Sequence, residues 1–316
     1  MAERLTYEVV IPAFNAAQYI AEAVESALAQ TLPPARVIVV DDGSEDDTVA
    51  RLAPFGERVL TIAFPNNRGG NVARNTGIEA VRAPLVAFLD ADDRWKPNKL
   101  DLQVVEFERH AKLGICYTGS QDTDYDWHPL GPPRAVRARS NEWAFEELYL
   151  TSFTMPPSTV LARRSALERV GLFNIEMRKA QDFELWLRMT MLFTISCIPE
   201  ALAERRIHSG SLTSRADIRR TMTYDWLSYD FCAQAAQREG KALPMPVERR
   251  KALGMYRRLL DALDQRQWED VRWLRERLDE NGQATGREHL SIVLHSLAAR
   301  AKGAARWLVP ARSQEV

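Results

Sequence analysis

The chain is 316 residues long, 46% hydrophobic and 27% charged, a composition that excludes a disordered polypeptide and predicts one sizeable globular domain plus an appendage. Its 42 basic and 43 acidic residues nearly cancel to a formal charge of -1, so no global field marks nucleic acid as a partner. Cys116, Cys197 and Cys232 stand far apart with no CxxC pair, which argues against a disulfide framework or structural zinc and fits a reducing, cytoplasmic setting.

Glu8 to Pro12 is apolar and β-branched and predicts a first strand, followed by a helical pattern from Ala16 to Gln30. Val37 to Val40 predicts the second strand and runs into Asp41-Asp42-Gly43-Ser44, after which a helical piece ends near Leu52. Val59 to Phe64 reads as a strand, Asn71 to Val81 as a helix, and Leu85 to Leu89 as a strand apolar at every position, the mark of burial on both faces. Strands alternating with helices predict a largely parallel sheet built from crossover units. Polar signals follow three of these runs directly, at the carboxyl ends where open α/β sheets place their ligands. Beyond Trp95 a helix is expected from Pro97 to Ala111, a strand from Ile115 to Tyr117, a Pro/Gly-rich loop from His128 to Pro133, and a helix rich in Leu, Trp and Met after Asp182.

From about Ala216 the chain reads as helical, with charged breaks near Glu239 to Pro246 and Asn281 to Gly286, so domains are expected at 1–215 and 216–316. The N-terminus is too polar for a secretory signal, and no run of about 18 uncharged apolar residues reads as a membrane span. Near the end, Leu290, Leu294, Leu297, Ala301, Ala304 and Leu308 form an apolar stripe at helical spacing, with Arg300, Lys302 and Arg306 off it. That stripe suits either packing on helices around Trp268, Trp273 and Leu278, or a weak, reversible contact with anionic lipid headgroups.

The segment Phe88-Leu89-Asp90-Ala91-Asp92-Asp93 ends a buried strand in three carboxylates within four residues. Like charges so close are unfavourable unless a cation compensates them, and hard oxygen ligands there suit Mg²⁺ or Mn²⁺ holding a diphosphate. The bland alternative is a solvated acidic turn. Asp41-Asp42-Gly43-Ser44 reads either as a turn with an N-cap or as hydrogen-bond acceptors for a nucleotide. Pro12-Ala13-Phe14-Asn15 stands where a dinucleotide site needs GxGxxG, and no Gly-rich lysine loop is present, so Rossmann dinucleotide and P-loop sites are not expected. Asp182 reads on its own as the N-cap of the helix through Leu187, Glu184 and Arg188 read as a surface i,i+4 pair, and Trp95 suits the core or a sugar face.

Taken in order, five segments resemble the family 2 glycosyltransferases: Val10 to Asn15, Val40 to Ser44, Asn67-Arg68-Gly69 leading into Ala73-Arg74-Asn75-Thr76-Gly77, Phe88 to Asp93, and Gln181 to Arg188. The resemblance spans roughly the first two-thirds of the chain. It implies an α/β fold of the GT-A type, a mostly parallel sheet flanked by helices, with a C-terminal helical extension. It further implies a nucleotide site with Pro12, Phe14 and Asn15, in which Phe14 stacks on the base and Asp42 accepts an imide N–H, favouring UDP. Asp90 would contact the ribose, Asp92 or Asp93 would hold Mn²⁺ or Mg²⁺, and Arg74 would pair with phosphate or with the acids. His208, in a short loop with Arg205 and Arg206, would reach the metal or the diphosphate.

By the same resemblance Asp182 is the general base of an inverting displacement, and the family's Glu before it is Gln181 here. The implied partners are a nucleotide-sugar donor and a glycan or lipid-linked acceptor, at the cytoplasm or the inner face of the membrane. Two alternatives stand beside this reading. A sugar-nucleotide pyrophosphorylase would need a Gly-rich N-terminal signature that is missing, and a catalytically silent nucleotide-sugar binder is kept open by Gln181.

Overall fold

The structure, a computed structural model, describes residues 4–134, 136, 144–153, 155–208, 218–264 and 267–280. The apolar runs form β1 (Tyr7–Ala13), β2 (Arg36–Asp41), β3 (Val59–Ala63) and β4 (Leu85–Phe88). They pair in parallel in the order β3-β2-β1-β4, joined by α1 (Ile20–Leu28), a 3₁₀ helix (Ala50–Arg58) and α2 (Gly70–Ala80). Val9, Ile11, Val37, Val39, Leu85 and Ala87 enter one core cluster with Ile20 and Val24 of α1. Alternate residues Val10, Ile38 and Val86 are equally buried, so these strands are covered on both faces as their uninterrupted apolar character requires. Against that second face α2 comes close at Gly77, where a Cβ would lie 2.3 Å from Val10 Cγ1.

The second half of the sheet is mixed rather than parallel. It contains β5 (Arg94–Trp95), α3 (Lys99–Arg109), β6 (Leu113–Thr123), α4 (Ala144–Thr151), β7 (Val160–Arg163), α5 (Arg164–Val170), α6 (Gln181–Leu192) and β8 (Thr194–Arg206). β7 lies antiparallel between β4 and β6, β8 runs parallel to β6, and β5 pairs antiparallel with β8, completing the order β3-β2-β1-β4-β7-β6-β8-β5. The sequence expected neither β5, β7 nor β8, and only the middle of β6. Helix α1 starts at Ile20 rather than Ala16; before it the backbone N–H groups of Ala16 and Ala17 donate to the side chains of Thr48 and Asp46. The piece expected to end near Leu52 runs on as the 3₁₀ helix to Arg58.

The chain divides into two compact units, Met1–Asp217 with Leu227–Pro244, and Ile218–Trp226 with Met245–Val316; α7 (Ile218–Arg238) contributes to both. The first unit contains the sheet. In the second, α8 (Val247–Asp264), α9 (Trp268–Glu280) and the first turns of α7 enclose Met222, Met255, Tyr256, Leu274 and Leu278. Trp226 and Trp273 stack at 6.4 Å beside them, while Trp268 is 63% exposed. The stripe read over 290–308 and the break near 281–286 lie outside the described residues. Among the described residues no helix is long and apolar enough to cross a membrane.

Candidate active site

The loops after β1 and β2 brace one another. Asn15, with φ 49, donates its backbone N–H to Ser44 Oγ at 2.8 Å, and its Oδ1 accepts the Glu45 N–H at 2.9 Å. Ser44 also bonds Asp41 through its N–H and hydroxyl. Gly43 has φ +74, and a Cβ there would lie 2.4 Å from the Asn66 carbonyl carbon, so glycine is required both by conformation and by close approach. Asp42 is buried, and its two oxygens accept the N–H groups of Arg68 at 2.7 Å and Gly69 at 2.9 Å. Asp42 thus cradles the turn that opens α2. Phe14, next to the braced Asn15, is 47% exposed, and Pro12 is half-buried.

The acid cluster follows β4, and its three members differ in surroundings. Asp90 Oδ1 accepts Arg74 Nη2 at 2.7 Å, while its N–H donates to Ser158 Oγ at 3.0 Å. Asp93 is enclosed: one oxygen accepts the Ser158 hydroxyl and the other the Arg206 N–H. Burial, then the charges of Asp92 and Asp90, push the Asp93 carboxyl well above the usual carboxylate range. Asp92 keeps its side chain 32% exposed and meets His208 Nε2 at 3.1 Å. Its carboxyl is raised by burial and by Asp90, against the opposing pull of His208. Among the described residues no three His, Cys, Asp or Glu side chains form a closed metal cage. An open oxygen-rich position of this kind fits Mg²⁺ or Mn²⁺, which take much of their coordination from phosphate and water.

His208 stacks on Tyr19 with ring centres 5.0 Å apart. Arg206 is not part of a flexible basic loop but the buried last residue of β8. Its guanidinium lies 3.9 Å from the Trp127 ring centre and pairs with Glu22 at 2.7 Å. Residues 209–211 of the loop read from the sequence lie outside the described residues. Trp95 belongs to the core, its indole N–H bonded to the Ser158 carbonyl at 2.6 Å.

Helix α6 begins at Gln181, preceded by Ala180 in the left-handed conformation and without a side-chain cap. Asp182 therefore lies inside the first turn and is not the N-cap. Burial raises its carboxyl above the ordinary aspartate value, with Asp90 adding to the rise and Arg74 opposing it. Those two neighbours tie Asp182 electrostatically to the acid cluster. Glu184 and Arg188 are not a surface pair: their side chains are 1% and 9% exposed. Arg188 also donates to the carbonyls of Val170, Gly171 and Leu172, satisfying the end of α5 with a fork of donors no lysine has. Trp186, Leu187 and Met189 fill the core. Ser158, which links Asp90 to Asp93, had only the proline pair before it as a sequence signal.

Residues 8–171 match the family described as Glycosyl transferase family 2. An uncharacterized glycosyltransferase of Rickettsia prowazekii is 30% identical over 210 residues, 66% of each chain, so the chain spans just under two thirds of that relative's length. The Bacillus subtilis glycosyltransferase TuaG, whose name provisionally assigns it to teichuronic acid biosynthesis, is 32% identical over 211 residues, 65% of this chain and 81% of that one. Among solved structures, S. aureus TarS 1-349 with UDP-GlcNAc superposes with a TM-score of 0.60 at 19% identity, over 74% of this chain and 70% of that one. The Pyrobaculum calidifontis mannosyltransferase PcManGT, solved with GDP-Man and Mn²⁺, gives 0.60 at 18% identity, over 98% and 82%. Likenesses at that identity show the fold, which is GT-A.

Proposed function

The chain belongs to glycosyl transferase family 2, and we propose that it moves a sugar from a nucleotide diphosphate donor, a UDP-sugar, to an acceptor hydroxyl with inversion at the anomeric carbon. The observation that carries this reading is Arg74, a guanidinium bonded to Asp90 at 2.7 Å whose charge also opposes the rise that burial gives the Asp182 carboxyl. It couples a donor-side acid to a half-buried carboxylate whose affinity for a proton is raised. Phe14 offers an exposed face for the base. Each Asp42 oxygen, though engaged by a backbone N–H, retains a second lone pair for an imide donor.

Asp182 takes the proton of the acceptor hydroxyl as that oxygen bonds to the anomeric carbon and the bond to the diphosphate breaks, so no protein nucleophile is needed. A divalent cation, Mn²⁺ or Mg²⁺, supplies charge compensation for the diphosphate when bound. Asp92, with His208 beside it, is the residue offered for that ion, because its side chain keeps 32% of its surface exposed while Asp93 is enclosed. Arg74 holds Asp90 in place and adds positive charge near the leaving group. A TarS structure with UDP-GlcNAc supports the uridine donor, and TuaG's name supports a cell-surface polysaccharide or lipid-linked glycan as acceptor. Cys116, Cys197 and Cys232 form no disulfide, which fits the reducing, cytoplasmic side of a membrane.

The test is a screen of UDP- and GDP-sugars, with MnCl₂ or MgCl₂, for thermal stabilisation and for nucleotide release. Stabilisation by a UDP-sugar together with metal-dependent UDP release is expected. A donor bound but never consumed would instead indicate a silent binder.

A further inference from the structure

We propose that Asn71 and Asn75 of α2 are positioning residues, pinning the segment 173–177 so that the base Asp182 is presented to the donor site. The inference rests on the glycosyl-transfer reading above. Asn71 Nδ2 donates to the carbonyls of Asn174 at 2.9 Å and Met177 at 2.6 Å. Asn75 closes a two-way pair with Phe173, its Nδ2 donating to the carbonyl at 2.8 Å and its Oδ1 accepting the N–H at 2.9 Å. All four bonds join residues about a hundred positions apart, and they are the side-chain attachments of α2 to the segment leading into α6.

The geometry gives these bonds a purpose beyond packing. Asn71, Arg74 and Asn75 fall at i, i+3 and i+4, on one face of α2. Arg74 reaches Asp90 from that face, and its guanidinium lies 5.7 Å from the Phe173 ring centre. Phe173 in turn packs edge-on against Phe88, the last residue of β4, at 5.6 Å, and against Trp186 of α6 at 6.1 Å. A single helix face therefore holds the donor acid through Arg74 and the base segment through two amides. Asparagine is a poor helix former, so two of them on one short helix face are there for their contacts. The Asn75 amide supplies on two separate atoms the donor and the acceptor that Phe173 uses; an aspartate there keeps the acceptor and loses the donor. Ala180, left-handed just before α6, is a bend that slack in the pinned segment would let relax. A base displaced by about 1 Å loses on the order of 10² in rate.

The experiment compares the full chain with Asn75→Asp, Asn75→Ala, Asn71→Leu and Asp182→Asn. Three readouts are taken: UDP affinity by calorimetry with MnCl₂, UDP release from a panel of UDP-glucose, UDP-GlcNAc and UDP-glucuronate, and hydrogen exchange of the amides at 173–182. For the asparagine variants UDP affinity is expected to stay within about twofold while UDP release falls at least about tenfold and the amides exchange faster. Asn75→Asp, which preserves the bond from the Phe173 N–H, keeps the test alive if the larger changes do not fold. Unchanged release in the asparagine variants, with release lost in Asp182→Asn, overturns the positioning role and leaves the base reading standing. UDP affinity falling in step with the rate also overturns it. Parental release by Asp182→Asn instead sinks the base reading, and unchanged exchange at 173–182 then overturns the pin on its own.

Discussion

Lys99→Met should stabilise the protein, and by an amount that depends on pH. Lys99 opens α3 fully buried, its Nζ donating to Gln103 Oε1 at 2.8 Å and lying 4.4 Å from the Trp95 ring centre. Gln103 spends its own amide on the carbonyls of Cys116 and Thr159, so this is a buried polar network next to Ser158 in the chain. Burial pulls the amine from 10.5 down to about 7. Between those values the unfolded chain binds a proton that the folded chain does not, so this group makes stability rise with pH. Its destabilisation is complete below pH 7 and gone above 10.5, and at about 1.4 kcal/mol per pH unit it amounts to about 5 kcal/mol.

Methionine fills similar space and removes that penalty, but leaves Gln103 Oε1 without a donor at a cost of about 1 to 3 kcal/mol. A net gain of about 2 to 4 kcal/mol at neutral pH is expected, shrinking and then reversing toward pH 10. Calorimetric melting of both proteins from about pH 6 to about pH 10 measures it, and the difference between them cancels every other titrating group. A difference that does not vary with pH would refute a neutral buried lysine.

Asp92→Ala should abolish turnover without unfolding the chain, and EDTA should silence the parent until Mn²⁺ or Mg²⁺ is restored; undiminished activity in EDTA would remove the metal from the scheme. Gly43→Ala combines a left-handed backbone with a clash against Asn66, and should cost about 3 kcal/mol in a denaturation series and weaken nucleotide binding. Ser158→Ala leaves the Asp90 N–H and one Asp93 oxygen without their partner, and should cost about 2 kcal/mol, read as a lower melting temperature.

Much of the first half of this fold was legible because its strands are uninterrupted apolar runs bounded by turn residues, so β1, β2, β3 and β4 fell within a residue or two of their expected spans. The pairing of Arg74 with an acid of the cluster was offered through motif order, which spacing along the chain can carry. Other features leave little trace in one dimension. β7 is four residues long, and β8 is broken in its register with β6 and carries Pro199 in its middle, so neither shows clean alternation. Glu184 and Arg188 have the spacing of a surface ion pair, and only the end of α5 folded above them makes the pair buried. Ser158 and the two asparagines of α2 act through bonds to distant backbone, for which no residue pattern exists.

The central claim is that Asp182 is the base, and the most direct measurement is Asp182→Asn, nearly isosteric and unable to take a proton. UDP affinity measured with MnCl₂ should match the parent, while turnover of the best donor should fall by roughly 10²- to 10⁴-fold. Turnover at the parental rate would contradict the claim, leaving Asp182 a half-buried acid in the first turn of α6 and nothing more.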